Sequence, residues 1–94
     1  PILCRPFEFG ADITVHSASK YTTGQGLAIG GILVERKGLL EKIKDNPRYP
    51  QFNEPDESYH GLVYVDVPLP VFTLRTRLSL LRDIGAVVSP FNSW

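Results

Sequence analysis

The chain has 94 residues, 43% of them hydrophobic, which accommodates one small domain and gives no sign of a second. Ten basic residues balance ten acidic ones, so no excess positive field draws in nucleic acid or an anionic membrane surface, and neither is expected as a partner. Cys4 is the lone cysteine, which excludes an intrachain disulfide and fits a reducing, cytoplasmic compartment, while no apolar run approaches the ~20 residues of a membrane helix or reads as a signal peptide.

In chain order, CRPFEFG predicts one helical turn opened by Pro6 and ended by Gly10. DITVHS, rich in β-branched residues, predicts a strand, and LAIGGILVE a second, apolar on both faces except at Gly30 and Gly31. Continuous apolarity marks strands covered on both sides, as in an α/β sheet. The connection, residues 18–26, is shorter than the dozen or more residues of a parallel crossover, so neighbouring strands here run antiparallel. GLLEKIKDN predicts a short helix with Leu39, Leu40 and Ile43 on one side and Glu41, Lys42 and Lys44 toward solvent.

Residues 46–70 hold five of the eight prolines together with Tyr49, Phe52, Tyr59 and Tyr64. That composition excludes a regular helix and is too aromatic for a free linker, so the segment is expected to lie ordered across a surface. From Val71 a helix is predicted, with Val71, Leu74, Leu78 and Leu81 as its stripe, Leu80 and Ile84 widening it, Arg75, Ser79 and Arg82 on a polar face, and Gly85 as its end. Two strands alone are marginal in water, so further strands are expected from outside this chain, and the start at Pro1 and the close on SPFNSW suggest a piece of something longer.

TVHSASKYTTGQG carries the chemistry. Lys20 follows the strand residue Ser17 by three positions, where open α/β sheets place ligand sites. A partly desolvated amine there is a Schiff-base nucleophile. Ser17 and Ser19 set hydroxyls on either side of Ala18, and TTGQG adds main-chain donors, a set suited to holding a phosphate and positioning an aldehyde near the amine. A solvated turn lysine with serines bonded to local backbone is the alternative that S-x-S-K spacing leaves open.

The stretch RPFEFGADITVHSASKYTTGQGLAIGGILVE resembles the cofactor-lysine segment of the cysteine and methionine metabolism enzymes, which depend on pyridoxal 5′-phosphate. Their pattern is G-A-D-I-x-x-H-S-x-T-K-Y-x-x-G-H, followed after a few residues by G-G. QFNEPDESYHGLVY and LRDIGAVVSPFNSW are most similar to the O-acetylhomoserine sulfhydrylase branch. The resemblance implies an α/β fold, as part of the large cofactor-binding domain of a fold-type I pyridoxal-phosphate-dependent transferase, with an antiparallel strand pair around the lysine loop and residues 1–94 incomplete at both ends. It implies that Lys20 bonds the cofactor aldehyde and that Ser17 and Ser19 hydrogen-bond the cofactor phosphate, Ser19 standing for the usual threonine. Gln25 stands where many relatives have histidine. His16 and Asp12 match family positions and are read as structural, Asp12 bonding the backbone at the start of its strand.

The reaction so implied is γ-replacement. The substrate amine displaces Lys20 from the cofactor aldehyde, the freed lysine takes the α-proton and shuttles protons, acetate leaves the γ-carbon of O-acetylhomoserine, and sulfide or a thiol adds there to give homocysteine or methionine. The acidic partner of the pyridine nitrogen and the ring-stacking aromatic fall upstream of Pro1 in relatives, and the arginine that grips the substrate carboxylate falls beyond Trp94. Arg75, Arg77 and Arg82 fit a solvated face or subunit contact instead. The isolated chain is therefore not expected to be active. No metal site is expected, and dimers or tetramers are implied. The cystathionine γ-synthase or γ-lyase branch, and a noncatalytic phosphate-binding or interaction fragment, are the alternatives.

Overall fold

The computed structural model describes residues 2–85, 88 and 90, so most of SPFNSW lies outside the described residues. Pro6–Phe9 form a 3-10 turn, with proline in the first turn and Gly10 closing it at φ 93°, as its sequence predicts. The two strands, β1 (Ile13–Ser17) and β2 (Gly31–Glu35), pair antiparallel in a register running from Ile13 opposite Glu35 to Ser17 opposite Gly31. The chain is thus an α/β unit whose strand pair flanks the lysine loop.

β2 is shorter than LAIGGILVE predicts, because β1 ends at Ser17 and the chain there turns into a π-helical turn, Ala18–Thr22. Residues 27–30 consequently have no strand across from them, and the Gly30 carbonyl instead accepts the Ala18 N–H at 2.8 Å. Nor are the strands covered on both faces by the described residues: Val15 is 75% exposed, and Ile32 and Val34 are also exposed.

After Gly38, at φ 88°, α1 (Leu39–Ile43) buries Leu39 and Ile43, which one helical turn places on the same face. α2 (Pro50–Asn53) is a single turn, tied to α1 by Asn53: its amide oxygen accepts the Asp45 N–H at 2.8 Å, and its NH2 donates to the Ile43 and Tyr49 carbonyls, each at 2.9 Å. Short 3-10 turns at Glu57–Tyr59 and Tyr64–Asp66 lead to α3 (Val71–Asp83).

The core of the described residues is Leu39, Ile43, Phe52, Tyr64, Val65 and Val71. The proline-rich segment is ordered and mostly exposed or half-buried, as expected, but it is anchored inward. It supplies Phe52, Tyr64 and Val65 to the interior, its successive turns satisfying backbone groups that an extended crossing would leave unpaired. The α3 stripe holds at Val71, Leu74 and Leu78, which pack on the core, but Leu80, Leu81 and Ile84 are exposed.

Of the arginines expected on a solvated face of α3, Arg82 is exposed as expected and Arg75 is half-buried, and both make specific contacts. Arg75 lies over the rings of Phe52 (5.5 Å) and Tyr64 (5.1 Å) and donates to the Gln51 carbonyl. Arg82 lies 5.5 Å from the Tyr59 centroid, donates to the Ser58 carbonyl at 2.6 Å and pairs with Asp83. Both clamp the proline-rich segment onto the helix. No helix of the described residues is long and apolar enough to cross a membrane.

Candidate active site

The lysine loop begins where β1 runs out. Ala18–Thr22 wind as one wide turn with a kink at Lys20 (φ −97°, ψ −108°) that points the chain away from the sheet. Three hydrogen bonds fix the turn: the Thr23 N–H reaches the Ala18 carbonyl at 3.1 Å, the Gly24 N–H the Lys20 carbonyl at 2.9 Å, and the Thr23 hydroxyl the Ser19 carbonyl at 3.2 Å. Gly24 and Gly26, at φ 78° and 66°, then reverse the chain through a region that side chains disfavour.

Ser19 closes the neck of the loop. Its Oγ accepts the Gly30 N–H at 3.0 Å and donates to the Gly30 carbonyl at 3.4 Å, across eleven positions of sequence. Together with the Ala18 N–H on that carbonyl, these contacts hold the two ends of the loop against each other. An added Cβ at Gly30 meets the Ala18 Cβ at 3.4 Å, so the approach is close on the side-chain side as well.

Ser19, Lys20, Tyr21, Gly24 and Gly26 line an open hollow of about 430 Å³. Of the residues singled out in the sequence, the consecutive pair Ser19 and Lys20 line it. Ser17, at the exposed end of β1 opposite Gly31, is not among the lining residues. Lys20 is exposed, so the desolvation expected of its amine is not provided by the described residues, among which it has no carboxylate at ion-pair distance.

Asp12 does not bond the backbone at the strand's start, as expected. Its carboxylate pairs with Lys42 Nζ at 2.6 Å and lies 3.9 Å from Arg36 Nε, because β2 and α1 bring those cations to the start of β1. His16 is half-buried in β1. Arg36 is a residue that motif reading missed: it donates to the Ala11 carbonyl at 2.9 Å and to that of Phe7, pinning the first turn of the chain to the sheet. No local pattern announces an arginine whose acceptors lie 25 and 29 positions away.

The full length of the chain, residues 1–94, matches the model of the Cys/Met metabolism PLP-dependent enzymes. The chain belongs to this pyridoxal-phosphate-dependent family. It is 43% identical over 94 residues to an O-acetyl-L-homoserine sulfhydrylase of Corynebacterium glutamicum, covering 98% of this chain and 22% of that protein. It is also 43% identical over 90 residues to a homocysteine/cysteine synthase of Kluyveromyces lactis, covering 94% of this chain and 20% of the relative. A solved Campylobacter jejuni protein described as an O-acetylhomoserine (thiol)-lyase, which contains a pyridoxyl-lysine phosphate residue, superposes with a TM-score of 0.87 at 52% identity, over 95% of this chain and 22% of that one. The chain thus spans about a fifth of the length of the curated relatives it matches.

The donor set at the loop fits the family's cofactor. An aldehyde calls for an amine on an accessible stem, and Lys20 is exposed on the hollow. A phosphate calls for hydroxyl and main-chain donors. A hydroxyl carries one hydrogen and two lone pairs, so Ser19 can keep the Gly30 N–H while turning its hydrogen, now on the longer 3.4 Å contact, toward a ligand. The hollow falls in the size range of small-ligand sites, roughly 300–1,000 Å³.

Proposed function

We propose that this chain is the cofactor-lysine segment of an O-acetylhomoserine sulfhydrylase, and that residues 1–94 form part of its larger cofactor-binding domain. The enzyme exchanges the acetate of O-acetylhomoserine for sulfide or a thiol, giving homocysteine or methionine. The observation that carries this reading is Lys20 on a hollow it shares with Ser19, in a chain 52% identical to a protein with a pyridoxyl-lysine phosphate residue. The names of the Corynebacterium and Kluyveromyces relatives support the choice of branch.

In this reading Lys20 would hold the aldehyde carbon of pyridoxal phosphate and Ser19 its phosphate, while Ser17, which does not line the hollow, keeps its phosphate role on the family pattern alone. The bound cofactor supplies an electron sink beside the substrate's α-carbon. Once the substrate's amine has taken its place on the aldehyde carbon, the freed Lys20 Nζ would take the α-proton and return it, a task for which a flexible four-carbon stem gives the reach. Ser19 fixes the loop neck through Gly30 at the same time, so the proton carrier and the phosphate grip share one rigid origin. Arg75 and Arg82 take no part in gripping the substrate carboxylate, being engaged with Gln51, Ser58 and Asp83. A cytoplasmic dimer or tetramer is the expected form.

The test is borohydride reduction of the holoprotein followed by peptide mapping. The pyridoxyl group is expected on the peptide that contains Lys20 and is absent in Lys20→Ala. An adduct shared among Lys37, Lys42 and Lys44 overturns the assignment. Turnover of O-acetylhomoserine with sulfide, against turnover of cystathionine, separates the sulfhydrylase branch from its neighbours.

A further inference from the structure

Thr23 stands at an unspecified position of the K-Y-x-x-G-H pattern, and nothing in the site described so far gives its side chain a part in the chemistry. Its place in the turn does. The kink at Lys20, largest in its ψ of −108°, turns the peptide that follows the lysine away from a regular helix, and the Ala18 and Lys20 carbonyls are taken by the N–H groups of Thr23 and Gly24. The Ser19 carbonyl lies between them, and the Thr23 hydroxyl meets it at 3.2 Å. The Ser19 side chain is held separately by the Gly30 contacts of its Oγ.

The geometry points to Thr23 as a positioning residue for Lys20: its hydroxyl pins the carbonyl of the peptide that carries the lysine, in addition to the Ser19–Gly30 neck. This rests on the proposed role of Lys20 as the cofactor's anchor. An exposed lysine on a long stem gains nothing from desolvation by its neighbours here, so the direction in which its Cα is held is what sets how often Nζ meets the aldehyde.

The test mixes pyridoxal phosphate with the cofactor-free, full-length protein in three forms, unsubstituted, Thr23→Val and Thr23→Ser. Growth of the visible band is followed, then fixed with borohydride and mapped. Thr23→Val keeps the shape and removes the hydroxyl at an exposed position, and it is expected to slow band formation at Lys20 by about two- to tenfold, the range one ordinary hydrogen bond supplies. Thr23→Ser restores the rate. Hydrogen exchange of the Gly24 amide in the cofactor-free protein is the second readout, quickening in Thr23→Val and not in Thr23→Ser. Equal rates and equal exchange in all three forms, with the label still on Lys20, overturn the role of Thr23 alone. A label that maps away from Lys20 in the unsubstituted protein overturns the proposed function and this inference with it.

Discussion

Glu35, the last residue of β2, accepts the backbone N–H of Thr73 in the first turn of α3 at 2.6 Å. α3 is preceded by Pro70, which has no side-chain acceptor, so the cap that serine or aspartate ordinarily supplies comes from a strand 38 positions earlier. The lysine hairpin and the longest helix are thereby joined by one carboxylate. Glu35→Ala is expected to cost about 0.5–2 kcal/mol, the range for a lost N-cap, and Glu35→Gln less, because the amide oxygen still accepts while the charge on the helix dipole is gone. Urea unfolding midpoints of the three proteins check the order.

Phe52 is the centre of the small core. It meets Tyr64 edge-on with centroids 6.4 Å apart, stacks near Phe72 at 6.2 Å, and carries the Arg75 guanidinium on its ring. Phe52→Ala is expected to cost about 3–5 kcal/mol, a large share of what a domain this size has. Loss of cooperative thermal unfolding, or a steep fall in its midpoint, is the measurable outcome.

What could be read from the sequence was local. Pro6, Gly10, the β-branched run at Ile13–Val15 and the Leu39/Ile43 pair each fix their own neighbourhood, and the structure has the turn, the strand and the helix where they point. The short loop between strands forced the antiparallel pairing correctly. The family pattern picked out Lys20, Ser17 and Ser19; the neighbours Ser19 and Lys20 line one hollow, and Ser17 does not line it. What escaped was set by distant partners: where β2 begins depends on where β1 stops, and Arg75 reads as solvated until Phe52 and Tyr64 fold beneath it. The four aromatics of the proline-rich segment say that it is ordered but not which of them face inward, so the anchors Phe52 and Tyr64 were not separable from Tyr49 and Tyr59.

Asp56 and Tyr64 make stability depend on pH at both ends of the range. The carboxylate of Asp56 is held below the ordinary value of 3.8, first by the Ser58 hydroxyl at 2.6 Å and then by the Tyr64 hydroxyl at 2.5 Å. A folded-state value below the unfolded one contributes stability that is present above about 3.8 and is lost as pH falls through the folded value. For Tyr64, burial first and the bond to Asp56 second push the phenol above 10.0, so its contribution is present below about 10 and is lost as pH rises through the folded value. Asp56→Asn is expected to flatten the acid side of a stability–pH curve, and Tyr64→Phe the alkaline side. Unfolding midpoints taken across both limbs test the two signs independently, and an unchanged acid limb in Asp56→Asn contradicts the assignment.

Ser19 is the residue at which stability and cofactor grip part company. Ser19→Ala leaves the half-buried Gly30 N–H without its acceptor, which is expected to cost about 1 kcal/mol. Because that bond closes the loop neck, the loss falls on local opening, and the Gly30 amide should exchange about fivefold faster in the cofactor-free protein. Ser19→Thr keeps the Oγ and its lone pairs and is expected to preserve Gly30 protection. If Ser19 also holds the phosphate, Ser19→Ala weakens cofactor binding by more than the loop effect alone. The loop effect is compared with that of Gly30→Val, whose Cβ would lie 3.4 Å from the Ala18 Cβ and whose added methyls crowd the neck while leaving the Ser19 hydroxyl in place. Equal losses of cofactor affinity in the two variants assign Ser19 to the neck only, and a larger loss in Ser19→Ala assigns it to both.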